Sequence, residues 1–253
     1  MDLDVSSIDA LAALPLFQGV EPALLQGLLA TARFVRHEKG AVFLAQDQPV
    51  TRFYVVVEGW CAAAKGNAEG QETILQIFRR GDFLPEPDRD AGDEPSPLNL
   101  LALTPCVLLM LPPSIVRNAL DRSPAFAANM LAAAVRRSQE LRDHIEQLTL
   151  RNAEQRIGRF LLQVRFGADQ EGKDIVLPFD KSHIASYLGI KPETLSRTLQ
   201  FFKENGFVVE RNHLIIPDRQ ALCDYCDSTT MKICRFAHGE DCVHSSHGDA
   251  ATL

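Results

Sequence analysis

The stretch KPETLSRTLQFFKENG, residues 191–206, decides the fold because a helical period separates its apolar side chains from its polar ones. The apolar residues recur at spacings of four and three, which predicts a helix with one side packed on a hydrophobic core. The polar residues share another face and therefore point outward together. The apolar positions are Leu195, Leu199 and Phe202, and the polar positions are Glu193, Ser196 and Arg197. Such a polar face is either an ordinary solvated surface or a surface that enters a groove.

The segments on either side of this helix favour the second interpretation. DIVLPF predicts a short strand, and KSHIASYLGI predicts a helix that ends at Gly189. The next helix begins three residues later with Pro192 in its first turn, a favoured position for proline. FVVERNHLIIP alternates and turns at Arg211–Asn212, which predicts a hairpin. This order of helix, glycine turn, helix and hairpin is typical of a winged helix-turn-helix.

A winged helix-turn-helix places its second helix in the major groove of DNA, with the first residues of that helix near the base edges. Arg197 can donate two hydrogen bonds to guanine, Glu193 can accept one from cytosine or adenine, and Ser196 can contact thymine. Other polar residues lie where phosphate contacts are expected. The phosphate candidates are Lys181, Ser182, Lys191, Thr194, Thr198, Lys203 and Arg211.

Composition and charge limit the class of protein. The net charge is −7, yet residues 151–222 hold 11 Lys and Arg against 9 Asp and Glu, so a weakly basic segment lies between acidic ones. No apolar run reaches the roughly 18 residues that span a bilayer. The acidic N-terminus does not resemble a signal peptide, so we expect a cytoplasmic protein without a membrane partner. No phosphate-binding loop, nucleophile elbow or HExxH motif indicates an enzyme.

The N-terminal half has the pattern of a β domain. Short β-rich runs recur from Phe34 to Leu111 with glycines between them, which predicts an antiparallel barrel or jelly roll. The acidic, proline-rich segment 85–97 is expected to be an exposed loop. The predicted fold class is α+β. The predicted domains are a sensor barrel at 1–122, a dimerisation helix at 123–152, a winged helix-turn-helix at 153–222 and a cysteine-rich extension at 223–253.

The dimerisation helix is predicted from a heptad pattern between Pro124 and about Asn152. Two series of residues at seven-residue spacing, offset by four, form a seam between two chains. Charged neighbours, Arg137 among them, are expected to keep the other faces in water. A buried helix within one domain is the alternative. The seam positions are Ala134, Ser138, Leu141, Ile145, Leu148 and Asn152.

A β-barrel, a long helix and a C-terminal winged helix-turn-helix, in this order, resemble the CRP/FNR superfamily of bacterial transcription regulators. HIASYLGIKPETLSRTLQFFKENG is similar to the family signature, and GDF at 81–83 is similar to a recurring barrel turn. The Glu-x-x-Ser-Arg pattern resembles the FNR branch, which implies that Glu193, Ser196 and Arg197 recognise a TTGAT half-site repeated as a palindrome. The resemblance also implies a homodimer and RNA polymerase as partners.

The cofactors of the superfamily match this sequence unevenly. Cyclic AMP is not expected, because Glu86 lacks the preceding glycine of the family motif and no arginine lies near residues 99–102 to bind a phosphate. The N-terminal cluster cysteines of FNR are absent, since no cysteine precedes Cys61. Cys61 and Cys106 are predicted to be buried thiols. Haem remains a minor alternative, because His37 and His144 are expected to be surface residues.

The C-terminal segment CDYCDSTTMKICRFAHGEDC, residues 223–242, concentrates four of the six cysteines. A C-x2-C pair followed by two further thiols can supply four sulfur ligands to one metal centre. The superfamily context favours a [4Fe–4S] cluster that responds to oxygen, nitric oxide or redox state. Zinc, redox thiols and a metal-independent regulator that senses a small molecule stay open. The ligand candidates are Cys223, Cys226, Cys234 and Cys242.

Overall fold

The structure is a computed structural model that describes residues 11–66, 72–84, 95–167, 174–216 and Leu222. The chain divides into two compact units, residues 1–144 and 145–253, and the boundary lies inside the long helix. Within the described ranges, no helix has the length and apolar character that crossing a bilayer requires.

The first unit is built on a sandwich of two four-stranded antiparallel sheets. One sheet has the strand order β1-β8-β3-β6 and the other has the order β2-β7-β4-β5. This is the jelly-roll architecture predicted from the β-rich runs. The strands are β1 (Arg33–His37), β2 (Val42–Leu44), β3 (Phe53–Glu58), β4 (Cys61–Gly66), β5 (Glu72–Phe78), β6 (Phe83–Leu84), β7 (Asn99–Ala102) and β8 (Cys106–Leu111).

Strand β3 is buried on both faces, because successive side chains point to opposite sides of a sheet and each side has its own core. Tyr54 and Val56 join a cluster between the two sheets, where residues of β2, β4 and β7 meet them. Val55 and Val57 face the other way, into a cluster formed with helices. A strand with apolar residues at every position is the expected consequence.

Helices cover the outer face of the β1-β8-β3-β6 sheet. A 3-10 turn (Pro15–Phe17) precedes α1 (Pro22–Thr31), and α2 (Pro113–Arg122) follows β8. The long helix α3 (Pro124–Leu150) comes next, and the Ser123 hydroxyl accepts a hydrogen bond of 3.2 Å from the Phe126 amide at its start. The Phe126 ring lies 6.1 Å from that of Phe17, which fixes the beginning of α3 on the N-terminal turn.

The second unit contains the end of α3 and the elements predicted for a winged helix-turn-helix. Strands β10 and β11 form the predicted hairpin around Arg211, whose φ is +49°. Strand β9 pairs with β11, a third strand that the sequence pattern did not assign to the wing. The remaining elements are α4 (Ala153–Gly167), β9 (Asp174–Val176), α5 (Lys181–Tyr187), α6 (Pro192–Glu204), β10 (Val208–Glu210) and β11 (His213–Ile215).

The boundary between α3 and α4 differs from the prediction. Helix α3 ends at Leu150, not at Asn152. The Asn152 side chain accepts a hydrogen bond of 2.9 Å from the Gln155 amide, and the Gln155 side chain accepts one of 3.1 Å from the Asn152 amide. This reciprocal pair is a capping box. Asn152 therefore begins α4 and does not extend the heptad pattern of α3.

The turn between β3 and β4 requires glycine for two reasons. Gly59 has φ +84°, and a Cβ at this position would lie 2.5 Å from the Pro105 carbonyl oxygen and 2.8 Å from the Cys106 Cβ. Gly40 has a similar φ of +82°, but a Cβ there would meet no atom within 4 Å. Substituting alanine at each position therefore separates the cost of backbone strain from the cost of steric overlap.

Gly59→Ala should destabilise the sandwich by at least about 2 kcal/mol more than Gly40→Ala, because only the first adds an overlap in a packed region. Gly40→Ala should cost about 1–2 kcal/mol through the positive φ alone. Urea unfolding followed by the fluorescence of Trp60, the single tryptophan, would measure both. Equal losses for the two variants would contradict the steric explanation.

Candidate nucleic-acid interface

The turn before α6 sets where the helix begins. Gly189 has φ +61°, and its amide donates a hydrogen bond of 3.1 Å to the Ser186 carbonyl. The Ile190 amide donates one of 3.0 Å to the Ala185 carbonyl, so the chain leaves α5 through a left-handed C-terminal turn. Pro192 then occupies the first turn of α6, where its missing N–H costs no hydrogen bond.

One face of α6 packs into the core of the second unit. Leu195, Leu199 and Phe202 are exposed by only 2%, 4% and 1%, which confirms the predicted apolar face. The Phe202 ring stacks on that of Phe207, with 5.1 Å between centroids. The burial fixes the rotation of the helix about its own axis, because turning it would bring apolar side chains into water.

The opposite face of α6 carries the predicted base-contacting residues. Glu193, Ser196 and Arg197 are all exposed, and they lie within the first two turns of the helix. Gln200 is exposed one turn further on, three residues after Arg197 and four after Ser196. The sequence analysis did not include Gln200, although its helical spacing was a sufficient signal. Glutamine can form two hydrogen bonds with adenine.

The predicted phosphate contacts border this face. Lys191 is the N-cap residue of α6 and is exposed, whereas Thr194 is half-buried. At the start of α5, Ser182 is exposed and Lys181 is half-buried. The hairpin is held to the preceding strand by a hydrogen bond of 2.7 Å from the Leu177 amide to the Asn212 carbonyl. Ser182 and Lys191 are therefore accessible at the beginnings of α5 and α6.

The predicted seam forms an outward row on α3. Ile145 is 59% exposed and Leu148 is 37% exposed, which is unusual for aliphatic side chains of this size. Ala134 and Ser138 are also exposed, and Leu141 is half-buried. The row extends toward the N-terminus to Leu131, which lies seven residues before Ser138, is 66% exposed and was not included in the predicted seam.

Arg137 is not in water, contrary to the expectation for the charged flank of α3. Its side chain is 12% exposed, and its guanidinium lies 4.2 Å from the centre of the Phe78 ring. It donates hydrogen bonds of 3.2 Å to the Ile77 carbonyl and 2.8 Å to Glu140, and it lies 3.9 Å from Asp82. The cause is proximity to β5, where a planar cation finds an aromatic face and acceptors together.

Cys61 and Cys106 are buried free thiols, as predicted. The hydrogen bond between the two thiols, with burial as the second cause, raises the pKa of Cys61 well above its ordinary value. The same hydrogen bond lowers the pKa of Cys106, and burial opposes that change. Both thiols lie in the core between the two sheets.

The other cofactor candidates have mixed outcomes. His144 is buried at 8% exposure, so its expected place on the surface was wrong: it lies on the inward face of α3, with the buried Gln147 one turn later. His37 is half-buried, and burial lowers its pKa. In the part of the chain that the structure describes, no three His, Cys, Asp or Glu residues group in a way that could hold a metal ion.

The predicted metal ligands Cys223, Cys226, Cys234 and Cys242 lie outside the described residues, as does most of the acidic segment before β7. The residue directly before Cys223 is Leu222, which is fully buried. The chain is therefore held in a core at the point where the cysteine-rich extension begins.

Two family models match the chain in the order in which its units occur. A cyclic nucleotide-binding domain matches residues 34–123, and a Crp-like helix-turn-helix domain matches residues 155–225. Together they account for well over half of the sequence. The helix-turn-helix match includes α5, α6 and the hairpin, which are the elements that carry the exposed polar face.

Similar proteins of known function are transcription regulators, not enzymes. A CRP-like cAMP-activated global transcriptional regulator of Mycobacterium tuberculosis is 25% identical over 220 residues, which cover 85% of this chain and 97% of the relative. The nitrogen fixation regulation protein FixK of Azorhizobium caulinodans is 26% identical over 212 residues, 81% of this chain and 83% of the relative. The structure of FixK2 from Bradyrhizobium japonicum shares the fold, with a TM-score of 0.66, 21% identity, and coverage of 78% and 98%. The sandwich, the helix-turn-helix and these similarities lead to one conclusion: the chain belongs to the CRP/FNR family of DNA-binding transcription regulators.

Proposed function

We propose that this DNA-binding regulator acts as a homodimer on an FNR-like palindrome of TTGAT half-sites. We further propose that a metal centre on its C-terminal cysteines, an iron–sulfur cluster, makes DNA binding respond to oxygen, nitric oxide or redox state. The observation that carries the proposal is the exposure of Glu193, Ser196 and Arg197 on one face of a helix whose other face is buried.

The type and order of these three side chains support the half-site. Arg197 has two parallel donors that suit the two acceptors of guanine, the third base of TTGAT. Glu193 and Ser196 lie one helical turn or less away, so each can reach a base pair next to the guanine while α6 lies in the groove. Gln200 extends the same face and is a further candidate for contact with adenine.

The exposed row on α3 supports the dimer. An aliphatic side chain that is 59% exposed, as Ile145 is, gains free energy when a second chain covers it. A parallel pair of α3 helices would bury the row from Leu131 to Leu148 in both chains. A two-fold symmetric dimer would then present two α6 helices to two half-sites, which matches the symmetry of a palindrome.

The C-terminal thiols support the metal centre. Four thiolates are a complete ligand set for a [4Fe–4S] cluster and also for zinc, so their chemistry fits both. The resemblance to the CRP/FNR superfamily, whose regulators sense oxygen, nitric oxide or redox state, favours such a signal. Buried Leu222 anchors the chain directly before Cys223, so a change in the ligand set can act on the second unit.

Regulation by cyclic AMP is the second candidate, since the mycobacterial relative is named as cAMP-activated. Against it, strand β7 and the strands paired with it, β2 and β4, contain no arginine that could bind a phosphate. Residues 86–94 hold five Asp and Glu against one Arg, so their net charge is negative. His37 and the buried His144 are the histidines before the DNA-binding domain that a haem-based sensor could use. Both alternatives predict that DNA binding survives removal of the tail cysteines.

Ile145→Glu should weaken dimerisation by about 100-fold or more. Each chain would lose an aliphatic side chain that the second chain covers in the dimer, and would place a carboxylate in the seam instead. Leu150→Glu is the matched control: Leu150 is 77% exposed but lies about 140° round the helix from Ile145. Sedimentation equilibrium would measure both. The seam is wrong if the two variants dimerise equally well.

Arg197→Ala should cost about 1–3 kcal/mol of binding to the palindrome and relax the preference for guanine at one position of each half-site. Lys191→Ala is the comparison: it should weaken binding to all sequences alike and reduce the salt dependence, as expected for a phosphate contact. Fluorescence anisotropy with single-base variants of the palindrome would separate the two effects. An Arg197→Ala protein with unchanged affinity and preference would refute the base assignment.

Anaerobically purified protein should be brown and contain about four iron and four sulfide per chain. Cys226→Ser should lose the iron and the response of DNA binding to air, because one of four ligands is missing. Cys106→Ala, which removes a thiol of the sandwich core, should keep both. A colourless protein with one zinc per chain would contradict the iron–sulfur assignment, and metal-free protein that binds DNA normally would favour the metal-independent alternatives.

A further inference from the structure

The Arg156 side chain joins the end of α3 to the turn of the helix-turn-helix. Its Nε donates a hydrogen bond of 3.0 Å to the Arg151 carbonyl, and its Nη2 donates one of 3.0 Å to the Leu148 carbonyl. Its Nη1 donates to the Leu188 carbonyl at 3.0 Å and to the Gly189 carbonyl at 3.4 Å. One guanidinium therefore binds four backbone oxygens, and we name this set the Arg156 bridge.

The acceptors of the Arg156 bridge are groups that a helix leaves without partners. The last carbonyls of a helix have no intrahelical donor, and they carry the negative end of its dipole. The Leu148 carbonyl lies in the last turn of α3 and the Arg151 carbonyl directly after it, and the Leu188 and Gly189 carbonyls directly follow α5. A planar cation with five N–H donors can satisfy both ends at once, which a lysine ammonium cannot do in the same geometry.

A second contact joins the same two pieces of backbone. A Cβ at Gly189 would lie 2.8 Å from Leu148 Cδ2, so the Leu148 side chain packs directly against the turn. Gly189 also needs its φ of +61° to make that turn. Leu148 is one of the seam residues of α3. The last helical turn of the seam is thus in direct contact with the segment that begins α6.

We infer that Arg156 is a positioning residue that fixes the helix-turn-helix to the last turn of α3, so that the seam sets the separation of the two α6 helices on DNA. This inference rests on the proposed function, since it assumes a dimer that binds two half-sites. Arg156 lies outside the apolar core of the second unit, to which the buried residues Leu195, Leu199 and Phe202 belong.

The test uses the spacing between half-sites, since that is what a positioning role controls. Arg156→Lys keeps the charge but cannot reach all four carbonyls. Binding of the full-length protein would be measured by anisotropy on three duplexes: the palindrome, the palindrome with one extra central base pair, and a single half-site. One extra base pair rotates one half-site by about 35° relative to the other.

The wild-type protein should prefer the palindrome to the duplex with the extra base pair. Arg156→Lys should reduce this preference by about 5-fold or more, the effect of an ordinary coupling between two sites, while its affinity for the single half-site stays the same. Arg156→Gln, which keeps two donors without the charge, is the second variant if the lysine variant does not fold. Arg142→Lys is the control, because among the described residues the Arg142 guanidinium donates within its own helix, to the Ser138 carbonyl at 3.2 Å.

A preference unchanged from that of the wild-type protein would overturn the inference. A parallel loss of affinity for all three duplexes with a lowered melting temperature would also overturn it, because that is the result of a purely stabilising residue.

A readout without DNA separates this inference from the proposed function. Amide hydrogen exchange at Gly189 and Ile190 should become about 5-fold faster or more in Arg156→Lys, since the turn opens more readily without the bridge. Exchange at Phe207, whose amide donates a hydrogen bond of 3.1 Å to the Phe202 carbonyl, should not change. If the wild-type protein binds no palindrome, the proposed function fails, and amide exchange alone then tests whether Arg156 fixes the turn. Unchanged exchange at Gly189 and Ile190 in Arg156→Lys would overturn that role of Arg156.

Discussion

Burial of the apolar face of α6 is the constraint on which the candidate interface depends. Leu195, Leu199 and Phe202 are part of the core of the second unit, which they share with buried side chains of the neighbouring elements. Because this face is held inward, the opposite face is held outward, and its charged and polar residues are presented in one orientation. Rigid presentation matters for base recognition, since hydrogen bonds to base edges tolerate only small errors in distance and angle. Stability and recognition therefore rest on the same helix.

The end of α3 relates that presentation to the rest of the molecule. Helices usually leave their last carbonyls to water or to a capping residue. Here Arg156 satisfies carbonyls at the end of α3 and at the end of α5, and the capping box of Asn152 and Gln155 begins α4 between them. The polar ends of three helices are thus bound to one another within a few residues of the turn that positions α6. The last turn of α3 is therefore connected through one side chain to the turn before α6.

The cysteines divide into two sets with different chemistry. Cys61 and Cys106 are hydrogen-bonded to each other inside the sandwich, where burial withholds them from solvent. The four C-terminal cysteines occur in a polar, histidine-containing sequence, which suits metal ligands better than core thiols. In the sequence, the part matched by the cyclic nucleotide-binding family model and the candidate metal ligands therefore lie in opposite halves. That separation distinguishes the proposed signal input from a ligand bound inside the sandwich.

Sequence periodicity was sufficient for the elements whose side chains alternate regularly between core and water. The jelly-roll strands, the faces of α6 and the hairpin at Arg211 all follow from local period and turn chemistry, and the structure confirms them.

Long-range contacts had no such signal. Arg137 has the sequence pattern of a surface charge, but β5 places the Phe78 ring against it, and β9 joins the wing only through pairing with β11. Asn152 continues a heptad by spacing, yet its side chain caps the next helix. The amino-acid sequence by itself determined which side chains of α6 face a core and predicted which bases its exposed side chains suit, because both depend on local spacing and side-chain chemistry. Only the tertiary structure decided that Arg156 joins two helix ends and that His144 is buried, because those environments are made by segments that pack from elsewhere in the chain.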